Sequence, residues 1–111
     1  MTETEFLTLA DATLNAIEAA LDRLNDQDMV DVECKRSGNV LEIEFIDNGS
    51  KVIVNSQAPM QELWVAARSG GFHYKRIDGK WINTRDGSEL FAALSEITTA
   101  QGGAPVVISE A

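Results

Sequence analysis

The chain predicts an α+β fold: a two-layer α/β sandwich with one antiparallel β-sheet of about six strands and N- and C-terminal helices packed on one face. Three observations predict it. Phe6, Ala10, Leu14, Ile17, Leu21 and Leu24 recur at spacings of three and four, the period of an amphipathic helix. From Met29 to Asn83 the apolar period drops to two, in short runs divided by turn residues. A second three-and-four stripe follows in Leu90, Phe91, Leu94 and Ile97. A meander bracketed by two helices, each with one apolar stripe, closes as helices layered on one side of a sheet.

Each element has its own local cause. Thr2 and Glu5 have capping-box spacing and open the first helix, which the segment NDQD ends. Val30, Val32 and Cys34 then alternate with Asp31, Glu33 and Lys35, a half-buried first strand starting at Met29. Ser37–Asn39 reads as a turn, and the next run points Leu41, Ile43 and Phe45 one way. Asn48-Gly49 is a strong hairpin signal, because a two-residue turn needs residues that accept positive φ. KVIVN is a third strand, Pro59 interrupts, and ELWVAAR is a fourth, with a Gly70-Gly71 break behind it. GFHYKRI and KWIN flank a second tight turn at Asp78-Gly79. Asp86 and Glu89 have capping-box spacing ahead of the second helix, and Gly102-Gly103 stops it. The tail APVVIS is short and apolar and is expected to pack back.

With 111 residues, 44% of them hydrophobic and 24% charged, the expectation is a single domain over 1–111 with a core that needs no staples. Cys34 is the only cysteine, which leaves no internal disulfide and no cysteine pair for zinc. No apolar run approaches the roughly 18 residues of a membrane helix. The opening MTETEFL is acidic, unlike a signal or transit peptide, so a bacterial-type cytoplasmic protein is expected.

The net charge of −9 is unevenly placed. Residues 1–33 hold nine acids against one base, Arg23; residues 34–111 hold nine acids against eight bases. Such a field repels phosphate backbones and anionic lipid and draws metal cations or basic protein surfaces, which sets nucleic-acid binding aside. At about 100° per residue the helix stripe centres near Ile17, and Asp11, Glu18 and Asp22 fall in one file about 100° around from it. Asp31 and Glu33 share the strand face opposite Val30 and Val32, and Asp26 and Asp28 lie between the two elements. If helix and strand lie side by side at the sheet edge, these acids join into one ridge. Two readings compete. A solvated face with a charge-blunted edge strand needs no ligand; a ridge built for a cation explains why the charge is nearly all one sign. Like charges at helix neighbours repel by a few tenths of a kcal/mol per pair. Carboxylates suit hard cations, including Mg²⁺, Ca²⁺, Mn²⁺ and iron, but there is no EF-hand spacing, and one histidine cannot build a two-His facial triad. Binding is therefore expected to be weak, exposed and salt-sensitive.

Other chemistry has thinner support. His73, in GFHYKR, reads as a sheet residue as readily as a functional one, and no G-x-S-x-G accompanies it. Cys34 alternates inward as a small core residue. A haem ligand among Cys34, His73 and Tyr74 lacks any C-x-x-C-H to support it. Gly70-Gly71 reads as a bend, since no phosphate-loop motif surrounds it. Trp64 is different. Leu63, Val65 and Ala67 share one face of their strand, so Trp64 and Ala66 take the other, open face. A tryptophan there serves cross-strand packing or anchors an interface.

The segments EFLTLADATLNAIEAALD, NGSKVIVNSQAPMQELWVAARSGGFHY and DGKWINTRDGSELFAAL resemble the frataxin family in its bacterial form. The most specific pattern is Asn-x-Gln-x-Pro, then Leu-Trp-Val-Ala, then Ser-Gly-Gly, and the resemblance spans essentially the whole chain. It implies the same sandwich, and an acidic ridge on first helix and first strand that binds Fe²⁺ or Fe³⁺ weakly. It also implies docking on a basic surface of the cysteine desulfurase, and work with the iron–sulfur scaffold protein in cluster assembly, as iron donor, sensor or regulator. Carried over, the ridge is Asp11, Glu18, Asp22, Asp26, Asp28, Asp31 and Glu33, and the sheet-surface partner contacts are Asn55, Gln57 and Trp64. The implied protein is not an enzyme, little ferroxidase activity is expected, and it is a monomer open to iron-dependent oligomerisation. The chain departs from many members at Ala19, Arg23 and Asn25, where they carry more acids, and at Glu62, where they often carry glutamine. A pure interaction module with incidental iron binding is the alternative.

Overall fold

The computed structural model describes residues 1–110. In chain order it runs α1 (Glu3–Asp26), β1 (Val32–Ser37), β2 (Val40–Phe45), β3 (Lys51–Gln57), a single 3-10 turn (Ala58–Met60), β4 (Glu62–Ala67), β5 (Gly70–Ile77), β6 (Lys80–Asn83) and α2 (Leu90–Gly102). The strands form one six-stranded sheet in sequence order, every neighbour antiparallel. This is the two-helix, antiparallel-sheet architecture the periodicities predict.

Period-two alternation assigns the faces. Val32, Leu41, Ile43, Phe45, Val52, Val54, Leu63, Val65, Tyr74 and Trp81 are buried and join one core with Phe6, Leu14, Ile17 and Leu21 of α1 and Leu90, Phe91 and Leu94 of α2. Both helices therefore sit on the same side, and the opposite face of the sheet is left open. Trp81 locks the far strand to the first helix. Its indole Nε1 donates to Thr13 Oγ1 at 2.8 Å, and its ring meets Phe6 edge-on at 6.0 Å.

Caps and turns fix the ends. The Thr2 hydroxyl accepts from the Glu5 backbone N–H while the Glu5 carboxylate accepts from the Thr2 N–H, both at 3.1 Å, so the capping box forms as spaced. The Thr2 backbone N–H foremost, and then the Thr2 side chain, hold the Glu5 carboxyl below its ordinary pKa. Asp78 and Gly79, at φ 51° and 78°, make the expected two-residue turn between Ile77 and Lys80. Gly103 caps α2 in the left-handed region. The tail packs back: Val106 and Ile108 are buried, with Ser95 Oγ accepting from the Ile108 N–H and Thr99 Oγ1 from the Val106 N–H.

Three local expectations change. β1 starts at Val32 rather than Met29, because Asp28 takes φ 57° and the chain is still turning after α1; Val30 is nonetheless buried. The Asn48-Gly49 hairpin is not a two-residue turn. Its loop covers residues 46–50, since the Asn48 side chain accepts from the Ser50 N–H and donates to the Gln101 carbonyl, tying the loop to α2. At α2 the cap is Glu89 itself, whose carboxylate accepts from the Phe91 and Ala92 N–H groups. Asp86 turns aside to accept from Ser88.

The α1–β1 junction positions the edge of the sheet. Met29 N–H returns to the Leu24 carbonyl, and the Asn25 side-chain oxygen accepts from the Val32 N–H at 3.2 Å. The second half of the helix is thereby pinned beside the edge strand.

Candidate functional site

Six of the seven ridge acids are exposed and Glu18 is half-buried. Burial pushes the Cys34 thiol up to about 12, with further upward pressure from the charges of Asp22 and Glu18. Cys34 faces the helix layer from β1, so those carboxylates stand over the edge strand from the helix side. Glu33 lies on the same strand at the opposite parity, so it projects from the open face, across from Glu44 of β2. Asp26 closes α1, and Asp28 and Asp31 lie in the connection. The ridge thus wraps the edge, with carboxylates on both sides of β1.

Asp11 stands apart. The Arg36 guanidinium pairs with its carboxylate at 2.5 Å and also donates to Asn15 Oδ1 at 2.7 Å. Arg36 shares parity with Val32 and Cys34 and reaches back over the helix. Asp11 is therefore neutralised by the chain itself. Among the described residues, the other six acids have no lysine or arginine nitrogen within 4.0 Å of their oxygens. Nor do three or more Asp, Glu, Cys or His side chains converge closely enough to hold one metal ion. Such an arrangement retains the water of a hard cation and exchanges it quickly, rather than caging it.

The thiol environment gives a direct check. With its pKa near 12, Cys34 holds about three orders of magnitude less thiolate at pH 8 than an ordinary, solvent-exposed cysteine. Iodoacetamide is expected to alkylate it more than tenfold slower than free cysteine. Neutralising its two acidic neighbours in a Glu18→Gln/Asp22→Asn variant should raise the rate only a few-fold, because burial is the larger cause. A wild-type rate near that of free cysteine would contradict this placement.

The open face carries the second cluster. Asn55 pairs with Trp64 and Gln57 with Glu62 across β3 and β4, so Asn55, Gln57 and Trp64 share one patch. Trp64 is half-buried, stacked on His73 of β5 at 4.4 Å between ring centroids and 7° between planes. Its Nε1 donates to Glu62 Oε1 at 2.8 Å. His73 Nδ1 lies 3.4 Å from that oxygen, and Lys75 Nζ lies 3.9 Å from Glu62 Oε2.

Cys34, His73 and Tyr74 do not converge. Cys34 and His73 lie four strand spacings of about 4.8 Å apart and on opposite sheet faces, and Tyr74 is buried in the core. Gly70 and Gly71 pair with Ala67 and Ala66 at the start of β5, as sheet rather than phosphate loop. Sequence reasoning missed Arg36 and the Glu62–His73 pair. Period-two parity places Arg36 toward the helices and Glu62 beside Trp64, but the contacts with Asp11 and His73 depend on packing and register.

A family model described as a frataxin-like domain matches residues 1–104. The iron-sulfur cluster assembly protein CyaY of Janthinobacterium sp. (strain Marseille) is 71% identical over 111 residues, covering 100% of this chain and 99% of that one. The protein of the same name from Herminiimonas arsenicoxydans is 66% identical with the same coverage. Among solved structures, frataxin from Psychromonas ingrahamii superposes with a TM-score of 0.88 at 33% identity, covering 98% of this chain and 99% of that one. Trimeric frataxin from the yeast Saccharomyces cerevisiae, complexed with ferrous iron, superposes at 0.72 with 25% identity over 85% of each chain.

Proposed function

Because the chain belongs to the family of frataxin-like domains, we propose that it serves iron–sulfur cluster assembly as a non-enzymatic cytoplasmic protein. It holds Fe²⁺ or Fe³⁺ weakly on its acidic ridge, as donor or sensor, and regulates the cysteine desulfurase by docking that ridge on a basic surface. The cluster-assembly partners also meet the open face, at Asn55, Gln57 and Trp64. Iron is cargo here, not a resident cofactor.

One observation carries the reading: Glu18, Asp22, Asp26, Asp28, Asp31 and Glu33 crowd around one sheet edge with no basic side chain paired to them among the described residues. Their repulsion favours an incoming positive charge, whether a metal ion or an arginine-rich surface. Exposed oxygens in water attract a cation by about 1 kcal/mol each at 4 Å, so iron binding is weak, additive over several acids and sensitive to salt.

Titration with Fe²⁺ under anaerobic conditions, followed by backbone amide NMR, tests the site. Perturbations are expected around Glu18–Glu33 and weakest at Asp11, which Arg36 already satisfies. Shifts confined to residues outside 3–33 would sink the proposal.

A second reading is favoured by the absence of any gathered metal-ligand group among the described residues: a pure interaction module, with iron incidental. Reconstituted desulfurase activity that responds identically to this protein with and without iron would select it.

A further inference from the structure

Glu62 is on the open face by parity with Trp64, yet only 4% of it is exposed. A buried carboxylate costs free energy unless partners offset it; here the Trp64 indole donates to Oε1 at 2.8 Å, and His73 Nδ1 at 3.4 Å and Lys75 Nζ at 3.9 Å lie nearby. Leucine at this position would leave the Trp64 indole N–H without its acceptor, so Glu62 and Trp64 act as one unit whose geometry is specific.

An indole on a sheet surface can swing about its two side-chain torsions. Glu62 fixes the nitrogen edge of Trp64 through a charge-assisted bond. His73, the direct cross-strand partner of Trp64, covers one ring face with nearly parallel planes. The same Glu62 oxygen lies near both rings, so the carboxylate bridges the stack. Edge and face are held together, and the ring meets a partner in one orientation.

We infer that Glu62 is a positioning residue for Trp64, and that with His73 it pre-orders the indole as a rigid docking anchor. Because the indole N–H is satisfied within the chain, the partner meets Trp64 through its ring carbons and needs no acceptor opposite the nitrogen. Pre-ordering raises affinity by removing the entropy lost when a free ring is immobilised. The inference rests on the docking reading above for its consequence, but the ordering of the ring is a property of the free protein.

The test separates the two. Labelling with 5-fluorotryptophan gives one ¹⁹F resonance each for Trp64 and Trp81, assigned with Trp64→Phe. In Glu62→Gln, whose amide oxygen still accepts from the indole, the Trp64 resonance and the affinity for the desulfurase–scaffold complex should stay within about twofold of wild type. In Glu62→Leu the Trp64 resonance should move or broaden while that of Trp81 stays, and affinity should fall about tenfold, roughly 1.4 kcal/mol. His73→Ala should shift the same resonance through loss of the stack, and Glu62→Ala takes the place of Glu62→Leu should the latter not fold. A Trp64 resonance that stays in place when Glu62→Leu or Glu62→Ala removes the carboxylate overturns the inference. If those resonances move as expected but Trp64→Ala binds the complex like wild type, the ordering of the ring stands and the docking reading falls.

Discussion

Reversing the charge at Glu18 and Asp22, both to lysine, is expected to weaken the proposed docking on a basic desulfurase surface by about a hundredfold at low salt, roughly 3 kcal/mol. The two positions are one helical turn apart and stand together over β1, so the substitution shifts local charge by four units at the centre of the proposed contact. Each new lysine would face cationic groups of the partner, and like-charge juxtaposition costs several kcal/mol across an interface. The effect should shrink as ionic strength rises, since the screening length drops from about 10 Å at 0.1 M to about 3 Å at 1 M. Folding should be spared. Repulsion between helix neighbours is worth only a few tenths of a kcal/mol, and the lysines would sit among the remaining acids. Calorimetry at two salt concentrations, with a thermal melt of the variant, reads all of this. Affinity within twofold of wild type in a folded variant would remove the ridge from the partner contact. Asp11→Lys is the internal control: it sets a lysine against Arg36 and loses the pair, so it should cost stability more than it costs binding.

Trp81→Ala is expected to lower the unfolding free energy by about 3–5 kcal/mol, the range for deleting a large buried aromatic. Only 1% of Trp81 is exposed. Its removal takes away the ring against Phe6 and the Arg76 guanidinium lying 5.3 Å from its centroid, and leaves the buried Thr13 hydroxyl without its indole donor. For a domain of marginal stability this is a large fraction of the total, and the melting temperature should fall by well over 10 °C. Thr13→Val keeps the ring but leaves the indole N–H buried without its acceptor, and it also removes the hydroxyl's own bond to the Leu9 carbonyl; about 1–3 kcal/mol is expected. Urea unfolding followed by circular dichroism measures both. A Trp81→Ala loss below 1 kcal/mol would mean that β6 is not tied to α1 in this way.

The fold was legible because its determinants are local. Period-two runs with Asp78-Gly79 between them need no distant information, nor does the Thr2–Glu5 cap. The widest miss came from a side chain that found its partner far along the chain. Asn48 opens its loop to reach Gln101, 53 residues away, and no local turn preference records that. Glu89 takes the capping role expected of Asp86, which accepts from Ser88 instead. The site divides the same way. Parity alone places Trp64, Asn55 and Gln57 on one face, and charge counting isolates residues 1–33. Neither reveals that Arg36 takes Asp11, which depends on how α1 crosses β1, or that Glu18 and Asp22 come to stand beside Cys34.

The side-chain bond from Asn25 to the first amide of β1 bears on how copies of this molecule behave toward one another. Every second residue of an outer strand turns its amide away from the sheet, so with Val32 occupied the rim offers only Cys34 and Arg36 as outward donors. Two molecules adding strand to strand there would press one anionic border against another. Multivalent metal that settles on those borders would cancel the repulsion, so self-association and metal loading should rise together and chelation should reverse both.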